Sequence, residues 1–261
     1  MEKRKRLKSW IRNPFVEKGF WTVLAFLALA LVWAVACKVL GNAYLLPSLG
    51  VVAKEGILAF GRASFWTAFF STLGRALLAF FICFALAGGL ALFAYAVEGV
   101  GRFLAPLVSF FRSLPTMAVL LLILLWSSAK IAPVVIACLA LLPMLYSAVL
   151  TALRGVDKGL LEMSRVYFVP KKRQIVDLYI PAVLPAVCRE GASASAFALK
   201  LVVSAEVMSN TFQSLGGEMQ NAALYDKIPL LFALVVVTFL TGYILECAGL
   251  GLARALERRL Q

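Results

Sequence analysis

The segment DKGLLEMSRVYFVPKKRQIVDLYIP, residues 157–181, is a long polar interruption between two apolar stretches, 131–153 and 182–210. The chain around it is strongly apolar, since 62% of its 261 residues are hydrophobic and the mean hydropathy is +0.92. Soluble globular domains contain about 45–50% apolar residues. The sequence therefore predicts a polytopic membrane protein that presents one structured polar insert to a soluble partner.

Six apolar runs are long enough to cross the hydrocarbon core of a bilayer, which takes about 20 helical residues. The runs lack the alternation of apolar and polar residues that marks barrel strands, so they predict helices. We expect an all-α membrane protein with a basic N-terminal segment at 1–19, one transmembrane domain at 20–261 and a short amphipathic helix near 51–60. The six predicted spans are residues 20–40, 65–97, 103–126, 131–153, 182–210 and 229–252.

Lysine and arginine residues in the flanking segments predict the orientation, because they are retained on the cytoplasmic side of a membrane. One side of the predicted bundle carries 17 of them, including seven in the N-terminal segment and six in and beside the insert, whereas the other side carries five. Both termini and the insert are therefore expected in the cytoplasm. The same distribution accounts for the net charge of +13, since basic residues at membrane boundaries contact anionic lipid headgroups. We expect no nucleic-acid partner.

The sequence lacks the residue types that most enzyme and metal sites need. It contains no histidine, and its five cysteines lie within or at the ends of predicted spans without paired spacing. It also has no Gly-Lys-Ser or Gly-Lys-Thr of a phosphate-binding loop. We therefore expect no catalytic residue, metal or cofactor on this chain, and energy from ATP has to come from another chain. The two functions that remain are transport and scaffolding.

The insert is predicted to form two short helices. Asp157 is a good N-cap residue, and Pro170 suits the first turn of a second helix that runs to about Tyr179. Pro181 marks the return to the membrane. Such a knob fits a groove on a partner protein, and the alternative is an interfacial helix that rests on lipid headgroups. The apolar residues at helical spacing in the first helix are Leu160, Leu161, Met163, Val166 and Tyr167.

A spaced set of residues in the insert carries a family resemblance: Glu162, Met163, Ser164, Phe168, Leu178, Ile180 and Pro181. The set resembles the cytoplasmic loop of permease subunits of binding-protein-dependent ABC importers, which reads Glu-Ala-Ala, three residues, Gly, nine residues, Ile, one residue, Leu-Pro. Met163 replaces a small residue, and Phe168 stands where the family has glycine. Glycine permits a left-handed turn that is costly for a bulky residue. Either the turn differs, or Phe168 is strained, or its ring is an extra contact for the partner.

Further stretches extend the resemblance over most of the chain: Leu46-Pro47-Ser48, Arg112-Ser113-Leu114-Pro115, Lys200 to Glu206, Leu215-Gly216 and Asn221-Ala222. Together they resemble the nitrate, sulfonate and taurine branch, which includes carriers for vitamin precursors. The resemblance implies a type I ABC importer permease bundle and a homodimer in the bacterial inner membrane. It also implies two cytoplasmic ATPase subunits that bind ATP and magnesium, and an external solute-binding protein. Cationic side chains in the spans are compatible with an anionic solute.

In these relatives the knob sits in a cleft of the ATPase, which implies a coupling role for the same positions of this chain. Glu162 and Arg165 would fix the register by charge pairing, and we expect Glu162, Ser164 and Phe168 to be central contacts. The full set implied for ATPase coupling is Glu162, Met163, Ser164, Arg165, Tyr167, Phe168, Leu178, Ile180 and Pro181.

Charged residues inside predicted spans are energetically costly and therefore indicate function. We hypothesise that Arg112 and Glu190 pair near an inner gate, either within a subunit or across the dimer. The alternative is that Arg112 snorkels to the interface. Lys200 and Glu206 are six residues apart and not on one helix face, so Glu206 either caps an outer gate or reaches the outer interface. The residues assigned to the pathway or its gates are Arg112, Ser113, Thr116, Glu190, Lys200 and Glu206.

Runs of small residues at 191–196 and at Gly88-Gly89 allow helices to approach closely. We expect packing there rather than contact with substrate. Two rival functions stay open at this point. A non-transporting scaffold would recruit a soluble partner through the insert, but it has no need for costly intramembrane charges. A passive channel would have no need for the docking knob.

Overall fold

The computed structural model describes residues 14–42 and 44–260, and these form helices joined by short turns. Residues 1–13 of the predicted basic segment lie outside the described part. A π-helical turn, Ile175–Tyr179, links the helix Lys171–Gln174 to the helix Ile180–Ser209. The helices are α1 Pro14–Leu40, α2 Leu49–Phe60, α3 Ala63–Ala96, α4 Glu98–Ser113, α5 Thr116–Trp126, α6 Ala132–Arg154, α7 Lys158–Val166, α8 Lys171–Gln174, α9 Ile180–Ser209, α10 Leu215–Leu224 and α11 Ile228–Leu260.

The membrane-spanning potential of these helices confirms the predicted all-α membrane fold. Within the described residues, five segments are long and apolar enough to cross a bilayer, and a sixth span results when the bent pair α4 and α5 is counted as one. The five segments are Phe20–Leu40, Ala63–Ala96, Ala132–Arg154, Lys171–Ser209 and Ile228–Arg259.

The third predicted span, 103–126, is a bent pair of helices in the structure. The chain there forms α4 and α5, whose axes are bent by 94°. The break falls at Leu114 and Pro115, because proline has no backbone N–H and forces the residue before it into extended backbone. Leu114 accordingly has φ −67° and ψ 130°. Arg112 therefore lies at the end of α4 rather than deep within a continuous span.

Buried residues of α3, α6 and α9 form the centre of the bundle, and those of α3 and α9 are mostly small. The buried face of α3 repeats every three or four residues, through Ala76, Ala79, Cys83, Ala87 and Ala91. All five cysteines of the chain are free, and the Cys83 thiol lies 3.6 Å from a carbonyl of α6. Small side chains let the backbones of neighbouring helices approach closely. Such close packing is needed within lipid, because no hydrophobic driving force brings the helices together there.

The small-residue run of α9 packs on two neighbouring helices. A methyl group at Gly191 would lie 3.2 Å from the ring of Phe84 on α3, and one at Gly249 of α11 would lie 2.6 Å from the Cβ of Ala192. The packing role expected for 191–196 is therefore confirmed at these positions. Gly88 and Gly89 differ, because a methyl group built at either residue has no heavy atom of another described helix within 4 Å.

Helices α3 and α9 run antiparallel and define two ends of the bundle. Tyr95, near the end of α3, contacts Tyr179 just before α9, and Thr72, near the start of α3, contacts Glu206 near the end of α9. We call the first of these the insert end, because the polar insert joins the bundle there, and the second the opposite end. Helix α1 packs beside α11 through aromatic ring pairs such as Trp33 with Phe232.

Candidate functional site

Helix α7 of the insert has both of its ends capped within the insert. The Asp157 carboxylate accepts a hydrogen bond of 2.7 Å from the Gly159 backbone N–H, which confirms the predicted N-cap. At the other end the Phe168 N–H donates to the Arg165 carbonyl at 3.1 Å, and the Val169 N–H donates to the Ser164 carbonyl at 2.9 Å. These two bonds are the Schellman pattern that usually ends on glycine.

Phe168 occupies the position of that glycine in a left-handed conformation, with φ 51°. The sequence left open whether the turn differs from that of the family or whether Phe168 is strained. The left-handed turn is retained, and Phe168 is strained. The left-handed conformation costs an L-residue about 1–2 kcal/mol, and such strain is typically found at functional sites. The side chain of Phe168 is 92% exposed, so burial of its ring within this chain does not offset the cost.

The outward side of α7 and the turn after it forms a mixed apolar and charged surface. We call the exposed residues Glu162, Met163, Val166, Tyr167 and Phe168 the insert surface. Tyr167 is 74% exposed, and its neighbour in sequence is the still more exposed Phe168. Clustered apolar exposure of this kind marks a site of interaction with another protein or a membrane.

The other residues of the predicted coupling set lie elsewhere. Ser164 is buried, and its hydroxyl donates to the Leu161 carbonyl at 2.8 Å, so its side chain is not part of the insert surface. Leu178 lies in the π-helical turn, whereas Ile180 and Pro181 lie in the first turn of α9. The second predicted helix, from Pro170 to Tyr179, is thus α8 plus a π-helical turn that runs directly into α9.

A pair of tyrosines connects this turn to the bundle. The hydroxyl oxygens of Tyr95 and Tyr179 are 3.0 Å apart, and the two rings meet edge to face. Beside them an exposed ion pair joins Glu98 and Arg102 of α4 at 3.0 Å. Tyr179 therefore links the insert to α3, and the continuous helical backbone links it to α9.

A buried ion pair stands at the opposite end of the bundle. The carboxylate of Glu206 is fully buried and forms an ion pair with the guanidinium of Arg75 on α3. It also accepts a hydrogen bond of 2.8 Å from the Thr72 hydroxyl and one of 3.2 Å from the Gly216 N–H. A carboxylate at the start of α10 is favoured by the helix dipole. Glu206 thus joins α3, α9 and α10.

Arg75 and Thr72 were absent from the residues that the sequence singled out. The signal was present, because Arg75 is a charge within the predicted span 65–97, the same feature that drew attention to Arg112 and Glu190. The structure also shows that the carboxylate of Glu206 has its ion-pair and hydrogen-bond partners within one chain. Glu206 thereby acts as a structural joint between three helices. Its predicted role at an outer gate stays a prediction.

A cavity of about 160 Å³ lies beside the break between α4 and α5. Thr116, the first residue of α5, and Lys200 of α9 both line it, so the structure brings together two of the six predicted pathway residues. Ser204, one turn beyond Lys200, adds a second hydroxyl group. The rest of the lining is apolar, with Leu120, Ile136 and Phe197 among its residues.

The remaining pathway residues are apart from this cavity. Arg112 donates to the Pro143 carbonyl of α6 at 3.4 Å, and the Ser113 hydroxyl donates to the Phe110 carbonyl at 2.8 Å. Glu190 is exposed, and no ion pair joins it to Arg112 within the described part of one chain. The hypothesised pair is thus not formed inside a subunit, because the bend after Ser113 ends the helix that was expected to place Arg112 in the bundle.

Comparison with known proteins places the chain in a family. Residues 85–261, more than half of the chain, match the family described as binding-protein-dependent transport system inner membrane component. The chain belongs to this family. No curated protein matches it. The permease is an ABC importer subunit, and the matched region includes the insert, α9 and the cavity.

Solved structures of ABC transporters share the fold of this permease. A chain of the inward-facing MetNI methionine ABC transporter, in its CY5 native crystal form, aligns with TM-score 0.60 and 18% identity over 71% of this chain and 93% of that one. A second MetNI crystal form gives 0.61 and 17%, with the same coverage of 71% and 93%. An amino acid ABC transporter with histidines gives 0.60 and 16%, over 75% and 94%.

The family assignment bears on the functions that the sequence left open. Among the described residues, no group of three or more histidine, cysteine, aspartate or glutamate side chains is arranged to hold a metal ion. The permease family is a family of transport subunits. The scaffold and the passive channel, which the sequence left open as rivals, are therefore disfavoured.

Proposed function

We propose that this permease forms the translocation pathway of a bacterial importer that takes up a small solute of the nitrate, sulfonate and taurine or vitamin-precursor class. It does so as a homodimer in the inner membrane, with both termini in the cytoplasm. An external binding protein delivers the solute, and two cytoplasmic ATPase subunits dock on the insert surfaces of the two copies. The observation that carries this proposal is the exposure of two neighbouring aromatic residues, Tyr167 and Phe168, on the insert.

The exposed apolar side chains of the insert surface favour binding of a soluble partner. Val166, Tyr167 and Phe168 follow one another at the end of α7, and all three are exposed. Apolar surface in water is unfavourable, and its burial is the main driving force of protein association. Glu162 and Arg165 beside them are exposed as well, so a groove with charges of its own would also fix the register of docking.

The connection from the insert to the cavity supports coupling rather than simple recruitment. Helix α9 has 30 residues and continues from the π-helical turn, past Lys200, to the Glu206 joint. The contact of Tyr95 with Tyr179 ties the same turn to α3. A coupling element transfers only the difference in contact free energy between two states. A continuous helix transmits that difference as rigid-body motion of the bundle around the pathway.

Charge reversal at Glu162 tests the proposal. In proteoliposomes that contain the permease, its ATPase subunits and its binding protein, Glu162→Lys should leave ATP hydrolysis running while uptake per ATP falls roughly tenfold, the change that about 1.4 kcal/mol produces. Asp177→Lys is the matched control, because Asp177 is an exposed acidic residue of the same insert that lies in the π-helical turn and is not one of the residues of the insert surface. Unchanged coupling in Glu162→Lys would overturn the proposal.

A further inference from the structure

The cavity between α5, α6 and α9 contains three polar side chains that lack partners. Neither the Lys200 ammonium nor the hydroxyls of Thr116 and Ser204 have a hydrogen-bond or ion-pair partner among the described residues. All three belong to segments with membrane-spanning potential. Unsatisfied polar groups and charges at membrane depth are costly and are retained where a ligand or a water-filled path satisfies them.

The electrostatics of the cavity favour a negative charge. Lys200 is its one charged lining residue within the described part of the chain. The nearest acidic residue along α9, Glu206, is engaged by Arg75, Thr72 and the Gly216 N–H. Glu206 is six residues from Lys200 and on a different face of the helix. The side chain of Lys200 is exposed, and no acidic residue among the described residues forms an ion pair with it. Its positive charge is therefore accessible to an anionic group from outside this chain.

The start of α5 adds to this preference. Pro115 is its N-cap residue and no side chain caps the helix, so the first backbone N–H groups, beginning at Thr116, carry the partial positive charge of a helix N-terminus. One water needs about 10–15 Å³, whereas the cavity measures about 160 Å³. Several waters or the head group of a small solute fit within it.

We propose that the solute carried by this permease bears an anionic group, such as a sulfonate or carboxylate, and that Lys200 binds this group in the cavity. Thr116 and Ser204 donate hydrogen bonds to its oxygens. The assignment rests on the proposed transport function and deepens it by naming the side chains that bind the anionic group of the solute. Phe197, which is exposed, also lines the cavity and provides a place for a reporter.

A tryptophan reporter at this position tests for anion binding without knowledge of the solute. Phe197→Trp is made in the full-length permease in lipid nanodiscs, and the signal of the parent protein is subtracted. Iodide should quench Trp fluorescence more strongly than caesium, and Lys200→Met should reduce quenching by iodide about fivefold, as expected for one unit charge about 4 Å away in a water-like medium. Quenching by neutral acrylamide should stay the same.

Matched variants and ligands keep the test specific. Lys200→Arg should retain the preference for iodide, and Lys130→Met, at an exposed lysine between α5 and α6, should leave it unchanged. At constant ionic strength, methanesulfonate should protect the reporter from iodide, whereas its neutral analogue dimethyl sulfone should not.

Three results would overturn the proposal. One is equal quenching by iodide and caesium, and another is iodide quenching that survives Lys200→Met while acrylamide still reaches the reporter. The third is a reporter that acrylamide does not reach at all, because the cavity would then be closed to solutes. No ATPase takes part in the measurement, so its outcome is separate from the coupling result at Glu162.

Discussion

Arg75 of α3 and Glu206 of α9 form an ion pair although 131 residues separate them in sequence. Glu206 is fully buried, whereas the side chain of Arg75 retains 15% of its exposure. The same carboxylate binds Thr72 and the start of α10. One buried side chain therefore holds three helices together at the end of the bundle opposite the insert.

Removal of one charge from this pair should be strongly destabilising. Glu206→Gln leaves the Arg75 guanidinium without a counter-charge, and breaking a buried pair in this way costs about 3–5 kcal/mol. We expect a large decrease in the Tm of the detergent-solubilised protein. Glu190→Gln is the control, since Glu190 is exposed and unpaired among the described residues. If the two variants have the same Tm, Glu206 is not the joint that the structure shows.

A double variant separates the pair from its surroundings. Arg75→Met with Glu206→Met removes both charges, so its loss of stability should be smaller than the sum of the two single losses. Additive losses in the free energy of unfolding would mean that the two side chains act independently.

Two glycines of α11 should respond in opposite ways to alanine. A methyl group at Gly249 would lie 2.6 Å from the Cβ and 2.8 Å from the Cα of Ala192, whereas at Gly251 nothing lies within 4 Å. Gly249→Ala should destabilise the protein by about 1–3 kcal/mol through overpacking. Gly251→Ala should stabilise it by roughly 0.5–1 kcal/mol through reduced backbone entropy of the unfolded chain. Equal Tm values for the two variants would contradict the close contact of α9 with α11.

The left-handed turn at Phe168 predicts a difference between two small substitutions. Phe168→Ala and Phe168→Gly both remove the ring, but only glycine removes the steric penalty of φ 51°. Hydrogen exchange at the amides of Phe168 and Val169, which close the turn, should therefore be slower in the glycine variant, by the equivalent of about 1–2 kcal/mol. Identical exchange in both variants would show that the residue is not strained.

The contact between Tyr95 and Tyr179 should behave as one hydrogen bond. Tyr95→Phe and Tyr179→Phe should each cost about 1 kcal/mol of stability. The double variant should cost little more than either single variant, since each single variant already removes the 3.0 Å contact. Uptake per ATP should fall in all three if the contact transmits movement of the insert. Additive stability losses in the free energy of unfolding would count against a shared bond.

The sequence predicts the membrane spans and the insert well because both depend on local composition. Apolar runs identify α1, α3, α6, α9 and α11 without knowledge of their packing, and the N-cap at Asp157 follows from local backbone chemistry. The break before Pro115 also depends on local sequence, because the proline itself is the signal. The apolar residues on both sides of it nevertheless favoured a single span.

Long-range contacts account for what the sequence did not predict. The partner of Glu206 lies on another helix, and nothing in the spacing along α9 points to Arg75. The inward orientation of Ser164 depends on how α7 sits against the rest of the chain. The cavity at Lys200 exists only because α5 turns away from α4 and exposes its first residue, Thr116, to α9.

The affinity of the ATPase subunits for two matched permease variants tests the central claim most directly. Tyr167→Ser with Phe168→Ser removes two aromatic rings, 74% and 92% exposed, from the insert surface. Phe212→Ser with Tyr225→Ser removes two rings of similar exposure, 75% and 73%, from the opposite end of the bundle. The insert variant should bind the ATPase at least about tenfold more weakly, as loss of aromatic anchors at an interface predicts, and the control should bind normally. Equal affinity of both variants would contradict docking on the insert surface.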